Sequence, residues 1–363
     1  MEVGGRYVGI DLGKRTYEMC AVDPKGRIAR TGGKTDKAGL AKLCGRLSAD
    51  DAVAMESCGL AQRLERQIRE SVGCKVYILN ARRLAVIYAS TRKTDKEDSL
   101  KLAKLLKTHE EDELPIVTPP TDEEWERRKL LAEYRSLKRQ RTREINKLHA
   151  IFEHNGHTQF TRKNMMTEKS RSEIVPLLKG YEKGEAERLI ERLTIIEKQI
   201  EELSEKINAE VKNDKNVQKA MTVPGIWPIV ALSYVAYMGD LNRFENAHQV
   251  SNFIGFVPKV DMSCTIVRYG HITKRGNPYL RSLLVQAAWA LVRSKNGGAL
   301  KEKYKYMAET RCIGRGKSIV TIARKLGELL YMLLKTGREY EPKRFITPEA
   351  KVQRLADTAL KCG

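Results

Sequence analysis

Along the first eighty positions, apolar residues fall into short runs of β type separated by turn residues. Tyr7–Leu12 (YVGIDL) is apolar and closed by Gly13, and Tyr17–Asp23 (YEMCAVD) ends at the turn Pro24-Lys25-Gly26. Ile28–Thr31 gives a third short run, and the tight connections predict an antiparallel meander. The period then changes to that of a helix over Thr35–Leu47, with Leu40, Leu43 and Leu47 on one side and Thr35 or Asp36 placed to cap it. Ala52–Glu56 (AVAME) reads as a buried strand, Ala61–Val72 as a helix and Lys75–Leu79 (KVYIL) as a fifth strand. The predicted order is βββαβαβ. Arg92–Lys107 follows as an amphipathic helix with Leu100, Leu102, Ala103, Leu105 and Leu106 in its apolar stripe, and Pro115, Pro119 and Pro120 mark an exit.

The rest of the chain has helical periodicity almost throughout. Asp122 can cap a helix over Glu123–Phe152, which carries a dense basic run including Arg128, Lys138, Arg139 and Arg141. After the polar stretch His154–Lys169, Leu189, Leu193, Ile196, Ile200, Leu203 and Ile207 recur at heptad spacing, which predicts a coiled-coil hairpin or a dimer contact. Val223-Pro224-Gly225-Ile226 opens a helix through Tyr237, Asn246–Gly255 is a second, and Pro258–His271 is a loop with strand character. Helices are predicted over Pro278–Ser294, Leu300–Thr310 and Lys317–Lys335, before a polar tail. The expected fold class is α/β plus all-α. An α/β domain spans 1–120, its last helix continuing to about 155. A helical coiled-coil region spans 121–215, a small mostly helical domain 216–341, and the tail 342–363.

Charge changes this picture from a fold to a partner. Lys and Arg number 67 against 46 Asp and Glu, a net charge of +21, and such an excess favours polyanions because each neutralised phosphate releases counterions. The seven cysteines are odd in number and lack CxxC spacing, so the expectation is reduced thiols rather than disulfides or a thiolate zinc site. No apolar run is long enough to span a membrane, and MEVGGRYVGIDLG has no basic-then-apolar leader, so a cytoplasmic setting is expected.

Four carboxylates stand out by position: Asp11 at the end of the first strand, Glu56 at the end of the fourth, and Asp95 and Asp98 near the start of the following helix. In this order the first and fourth strands are neighbours, and the helix can lay its first turn across their ends. Four anions at one point repel unless a hard divalent cation joins them, and oxygen-only ligands favour Mg²⁺, with Mn²⁺ as the alternative. Such a centre activates an attacking oxygen and stabilises a leaving one in phosphoryl transfer.

GIDLGK at 9–14, AMESCG at 54–59 and KTDKEDSLKLAKLL at 93–106 resemble the RuvC-like, ribonuclease-H-fold domain of DEDD transposases of prokaryotic insertion sequences. More closely, the chain resembles the IS one-ten family of serine-dependent recombinases over roughly residues 5–340. Val223–Pro228 resembles the opening of that family's second transposase domain, and it is also like a helix-hairpin-helix or a plain Pro-Gly turn. Gly255–Pro258, Ser263, Gly270–Asn277 and Tyr279–Arg281 follow in the family's order. The resemblance implies a serine that attacks DNA to form a 5′-phosphoserine link, and Ser263 matches its position. The family's paired serines and glycines are replaced here by Met262-Ser263-Cys264-Thr265. Lys274, Arg275 and Arg281 flank this loop as phosphate contacts. The resemblance further implies donor and target double-stranded DNA, a structured guide RNA encoded by the element, and a homo-oligomer, dimer or tetramer. If RNA pairing reads the sequence, a Lys/Arg-rich chain with 6% aromatics need only grip backbone and shape.

Three alternatives stand beside it. A RuvC-like junction-resolving endonuclease would use the same acids with water. An actin-like or sugar-kinase-type ATPase shares GIDLGK but needs a matching strand-loop in the C-terminal half. A non-catalytic nucleic-acid scaffold would not depend on Asp11. Gly316-Lys317-Ser318 lacks the upstream glycine and strand of a phosphate loop and is set aside.

Overall fold

The computed structural model describes residues 5–81, 83–84, 95–263 and 266–341, with the side chains of Asp95, Ser263 and Ile266 excepted. The chain divides into two compact units, residues 1–119 and 120–363.

Unit 1 is built on a five-stranded sheet: β1 (Tyr7–Leu12), β2 (Thr16–Val22), β3 (Ile28–Lys34), β4 (Ala52–Glu56) and β5 (Lys75–Leu79), in the order β3-β2-β1-β4-β5. β1, β2 and β3 form the antiparallel meander, while β4 and β5 run parallel to β1. β3 is longer than the sequence pattern predicts because the register carries pairing through Gly32 and Gly33 to Lys34. Glycines signal a strand weakly, but here Gly33 lies against the Tyr17 ring, which supplies the missing side-chain cover.

Strand alternation sorts the side chains onto two faces. Val8, Ile10, Met19, Val53 and Met55 pack with α1 (Lys37–Cys44) and α2 (Ala61–Ser71). Tyr7, Ala52, Ala54, Cys20 and Val22 face the other way, onto α3 (Asp95–Thr108) and its Leu100, Leu102, Ala103, Leu105 and Leu106. α3 crosses β1, β2 and β4. It runs against β1: Ser99 lies over Gly9, whereas Lys107 donates to the Asp23 and Pro24 carbonyls at the far end. Residues 92–94, which the periodicity assigned to this helix, lie outside the described residues.

Unit 2 opens with α4 (Asp122–His154), whose N-terminus is closed by the reciprocal capping of Thr121 and Glu124. After the short helix α5 (Glu168–Ile174) the chain returns along α6 (Gly180–Asn213). α4 and α6 are antiparallel: Arg127 meets Glu210 and Asp214 at one end, and Phe152 shares a cluster with Ala186 and Leu189 at the other. Four of the heptad residues, Leu189, Leu193, Leu203 and Ile207, are buried; Ile196 and Ile200 are half-buried.

The chain continues through α7 (Lys215–Met221), α8 (Pro228–Met238), α9 (Ala247–Ile254), a hairpin of β6 (Pro258–Ser263) and β7 (Ile266–Ile272), α10 (Pro278–Arg293), α11 (Gly298–Lys305) and α12 (Arg315–Thr336). The helix expected over Leu300–Thr310 passes into a wider π turn at Tyr306–Thr310. The long helices and the C-terminal helices share one core, in which Leu131, Ile207 and Val211 meet Tyr234, Leu284 and Leu330. The stretch 121–215 lies in the same compact unit as 216–341. Gly225, with φ +85°, sits where a Cβ would stand 2.5 Å from the Ala287 carbonyl, so the Pro-Gly turn is closed against α10. No helix among the described residues is long and apolar enough to cross a membrane.

A Cβ added at Gly9 would stand 2.0 Å from the Ser99 carbonyl oxygen and 2.6 Å from the Ala103 nitrogen, both backbone atoms that cannot swing aside. Gly9→Ala is expected to lower stability by about 1–3 kcal/mol through forced displacement of α3. Urea unfolding checks this: an unchanged midpoint would show that the helix can lift without cost.

Candidate active site

The register of the parallel β1–β4 pair decides where the acids go. Gly9 lies beside Ala54 and Ile10 beside Met55, so the next step along both strands sets Asp11 beside Glu56, ~4.8 Å apart by strand spacing. Alternation places both on the face that α3 covers, with Gly9, Ala52 and Ala54. Asp11 is half-buried and Glu56 is exposed at the end of its strand.

α3 supplies the other two acids. Ser99 and Leu102 press on the Gly9 position. Asp98 lies one turn before Leu102 and Asp95 one turn before Ser99, at the helix end that lies toward Asp11. Asp98 is held 3.0 Å from the Lys101 ammonium, while the Asp95 side chain lies outside the described residues. Among the described residues no three His, Cys, Asp or Glu side chains close into a metal-binding group. The structure thus brings Asp11 and Glu56 side by side and aims the start of α3 toward them.

One acid was missed by sequence reasoning. Glu18 pairs with Asp11 across the β1–β2 hairpin and shares its face. Its Oε1 leans over Gly32, where a Cβ would be 3.0 Å away, so it is drawn toward β3 rather than toward Asp11. The hairpin register, which pattern alone does not fix, was the signal needed.

Unit 2 separates the basic candidates. Arg128 donates to the Ala236 carbonyl at 2.7 Å and lies beside Glu124. Arg141 donates to Glu197 at 2.8 Å and to the Met166 carbonyl. Arg281 donates to the Ile254 and Gly276 carbonyls at 2.9 and 2.7 Å, and burial pulls its guanidinium below the ordinary value. Each of these three closes carbonyl or carboxylate acceptors within its own unit. Lys138, Arg139, Lys274 and Arg275 are exposed and have no carboxylate partner among the described residues. Lys274 takes φ +55° where its amide bonds the Gly255 carbonyl, which fixes the loop against the end of α9. Ser263 is the last residue of β6, paired with Ile266 at the end of the hairpin. Unit 2 has, among its described residues, this two-stranded sheet and no other, so the second strand-loop half required of an actin-like ATPase is not there.

A mixed sheet that sets an aspartate and a glutamate on adjacent parallel strands, followed by a helix opening on two aspartates, is consistent with the RuvC-like domain of a DEDD transposase. Two family models match: a transposase model of the DEDD, IS110 type over residues 8–155, and the Transposase IS116/IS110/IS902 family over residues 217–305. The transposase for insertion sequence element IS1111A of Coxiella burnetii is 25% identical over 343 residues, covering 92% of this chain and 91% of its own. A probable family 20 transposase of Pseudomonas aeruginosa is 28% identical, covering 79% and 84%. The transposase for insertion sequence element IS1328 of Yersinia enterocolitica is 24% identical, covering 77% and 82%. The chain belongs to the IS110-type insertion-sequence transposases, and its activity is that of a DNA transposase.

The contact between Arg141 and Glu197 gives a test of its own. Arg171 is 1% exposed and bridges to Glu197 at 2.6 Å. Burial alone would raise the Glu197 carboxyl, but Arg171 and Arg141 outweigh it and hold it below the ordinary glutamate range. Stability from this group is therefore full above the unfolded value of about 4.3 and is lost as pH falls through the depressed folded one. Glu197→Gln is expected to cost about 3 kcal/mol near neutrality by leaving Arg171 buried and unpaired. The gap to wild type should narrow below about pH 4. Hydrogen exchange of residues 165–178 at both pH values reads it, and equal protection in the two proteins near neutrality would refute the clasp.

Proposed function

We propose that this transposase cuts and rejoins DNA by transesterification, with Ser263 as nucleophile and Asp11, Glu56, Asp95 and Asp98 as the acids of a RuvC-like, ribonuclease-H-fold metal site. The observation that carries the reading is the pairing of Asp11 and Glu56 on neighbouring parallel strands, beneath the helix that bears the other two aspartates. Without a counter-charge two adjacent carboxylates repel, and an all-oxygen donor set suits a hard cation. Mg²⁺ is the ion proposed, with Mn²⁺ as substitute; when bound it would activate the attacking oxygen and stabilise the leaving one.

Asp11, Glu56, Asp95 and Asp98 would hold the cation where the scissile phosphate is to lie. The Ser263 hydroxyl gives up its proton and its Oγ bonds to phosphorus. The bond from phosphorus to the 3′ oxygen breaks, and the 3′ oxygen leaves protonated. A 3′-hydroxyl from the exchanging strand then attacks the phosphoserine, restores a phosphodiester and returns the proton to Ser263, so no nucleotide cofactor is required. Lys274 and Arg275, exposed on the loop after β7, are the proposed phosphate contacts beside the serine. Donor and target DNA and a structured guide RNA are the proposed partners, supported by the charge of +21, and a dimer or tetramer is the proposed assembly. A cytoplasmic setting is proposed with them.

The test is incubation of terminus-junction DNA with the flanking RNA and Mg²⁺. Wild type is expected to give rejoined product and an adduct that survives denaturation. Ser263→Ala should lose both. Asp11→Asn and Glu56→Gln should each join DNA at below about one hundredth of the wild-type rate, and chelation should do the same until Mg²⁺ is returned. Cleavage that persists in Ser263→Ala would replace this reading with hydrolysis by water, that of a junction-resolving nuclease.

A further inference from the structure

The cations of α4 fall into two groups. Arg127, Arg128, Lys129, Arg141 and Lys147 each face a carboxylate: Arg127 three of them, Arg128 Glu124, Lys129 Glu126, Arg141 Glu197 and Lys147 Glu144. Arg135, Lys138, Arg139 and Arg143 have no carboxylate partner among the described residues. The second group is not scattered. All four line one groove of about 840 Å³ within unit 2, walled on one side by α4 and on the other by α10 and the start of α8.

Five of the thirteen residues lining this groove are Arg or Lys, and none is acidic. Arg135, Arg139, Arg143 and Lys147 follow one another at four-residue intervals, which puts a cation every ~6 Å along the helix. Like charges at this spacing destabilise a helix. Acids on α6 relieve the repulsion elsewhere on α4, but in this row only Lys147 meets a carboxylate among the described residues, that of Glu144 on α4 itself at 3.1 Å. Two rings fix the inner cations: the Arg135 guanidinium lies over Tyr279 at 4.6 Å, and the Lys138 ammonium over Tyr134 at 5.9 Å. Ile229 and Leu283 give the groove an apolar lining.

We infer that this groove holds a single nucleic-acid strand by its phosphodiester backbone. The inference rests on the transposase reading and adds to it a defined place and strand state. A regular file of cations, three of its four without a carboxylate partner among the described residues, matches the file of phosphates on an extended strand, and the neutral apolar lining accepts sugars and base edges without selecting sequence. All five cations line the groove from its α4 wall, opposite Tyr279, Leu283 and Gln286 of α10, so a single backbone lying in it meets them along its length.

The test uses the full chain with oligo(dT), oligo(U) and a blunt duplex, reading affinity against salt. Arg139→Gln with Arg143→Gln removes two exposed cations that hold nothing in the fold. Lys198→Gln with Lys206→Gln removes the same charge from the exposed side of α6. The groove pair is expected to weaken single-strand binding roughly 20-fold near 0.1 M salt, and to reduce the slope of log affinity against log salt by about 1.4. The control pair should change affinity less than about threefold. Loss on only one of the two single strands keeps the groove and names its ligand as DNA or RNA. Equal effects of the two pairs, or a loss confined to the duplex, would overturn the inference. Binding that is intact in the groove pair while wild type still joins element ends defeats the groove alone. A wild type that binds these strands but never joins DNA defeats the functional reading alone.

Discussion

Where α3 lies on β1, two backbones come closer than any side chain would permit, and the direction in which the helix carries Asp95 and Asp98 along the sheet follows from that contact. Gly9 has no Cβ, so the Ser99 carbonyl and the Ala103 amide rest directly on the strand. The helix is held low across the sheet, with Leu102, Leu105 and Leu106 filling the space over Ala52, Ala54 and Tyr77. Its first turn is thereby directed to the end of the sheet where Asp11 and Glu56 stand. Small residues at Gly9, Ala52 and Ala54 on one face, against Val8, Ile10, Val53 and Met55 on the other, show the same economy: the α3 face is flat so that a helix can lie close to it.

Much of this was readable from the residue pattern. The five strands of unit 1 and their order follow from turn residues and alternation, because each strand is bounded by Gly, Pro or a change of period. The pairing of Asp11 with Glu56 was readable too, since a meander followed by two parallel strands leaves few sheet orders. What the pattern did not carry was register and partner choice. Glu18 escaped notice because nothing in YEMCAVD says which residue of β1 it will face. For Arg128 and Arg141 a basic helix, and for Arg281 a place beside the serine loop, pointed to phosphates, and the pattern does not show the carbonyls and carboxylates of neighbouring elements that these side chains also meet. The residues that answer them, Ala236, Glu197 and Ile254, are between 27 and 108 positions away. The extent of unit 2 was hidden for a related reason: heptad spacing identifies a buried stripe without naming what buries it.

The charge of the chain is therefore not a uniform background. In the α4–α6 hairpin, Glu197, Glu210 and Asp214 are committed to arginines that close the structure. The local excess that remains is concentrated where no acid reaches. Fold and partner draw on the same residue types, and the division between them is made by which helix face has a neighbour.

The Arg171–Glu197 pair has a consequence for the order in which the chain acquires its shape. Arg171 belongs to the connection between the two long helices, but the carboxylate that makes its burial tolerable lies on the returning one. A nascent polypeptide exposes the connection before Glu197 has been synthesised, and a lone guanidinium cannot enter an apolar cluster. The bend of the hairpin is thus made early by the ribosome and completed late, once about twenty-six further residues have emerged to meet it.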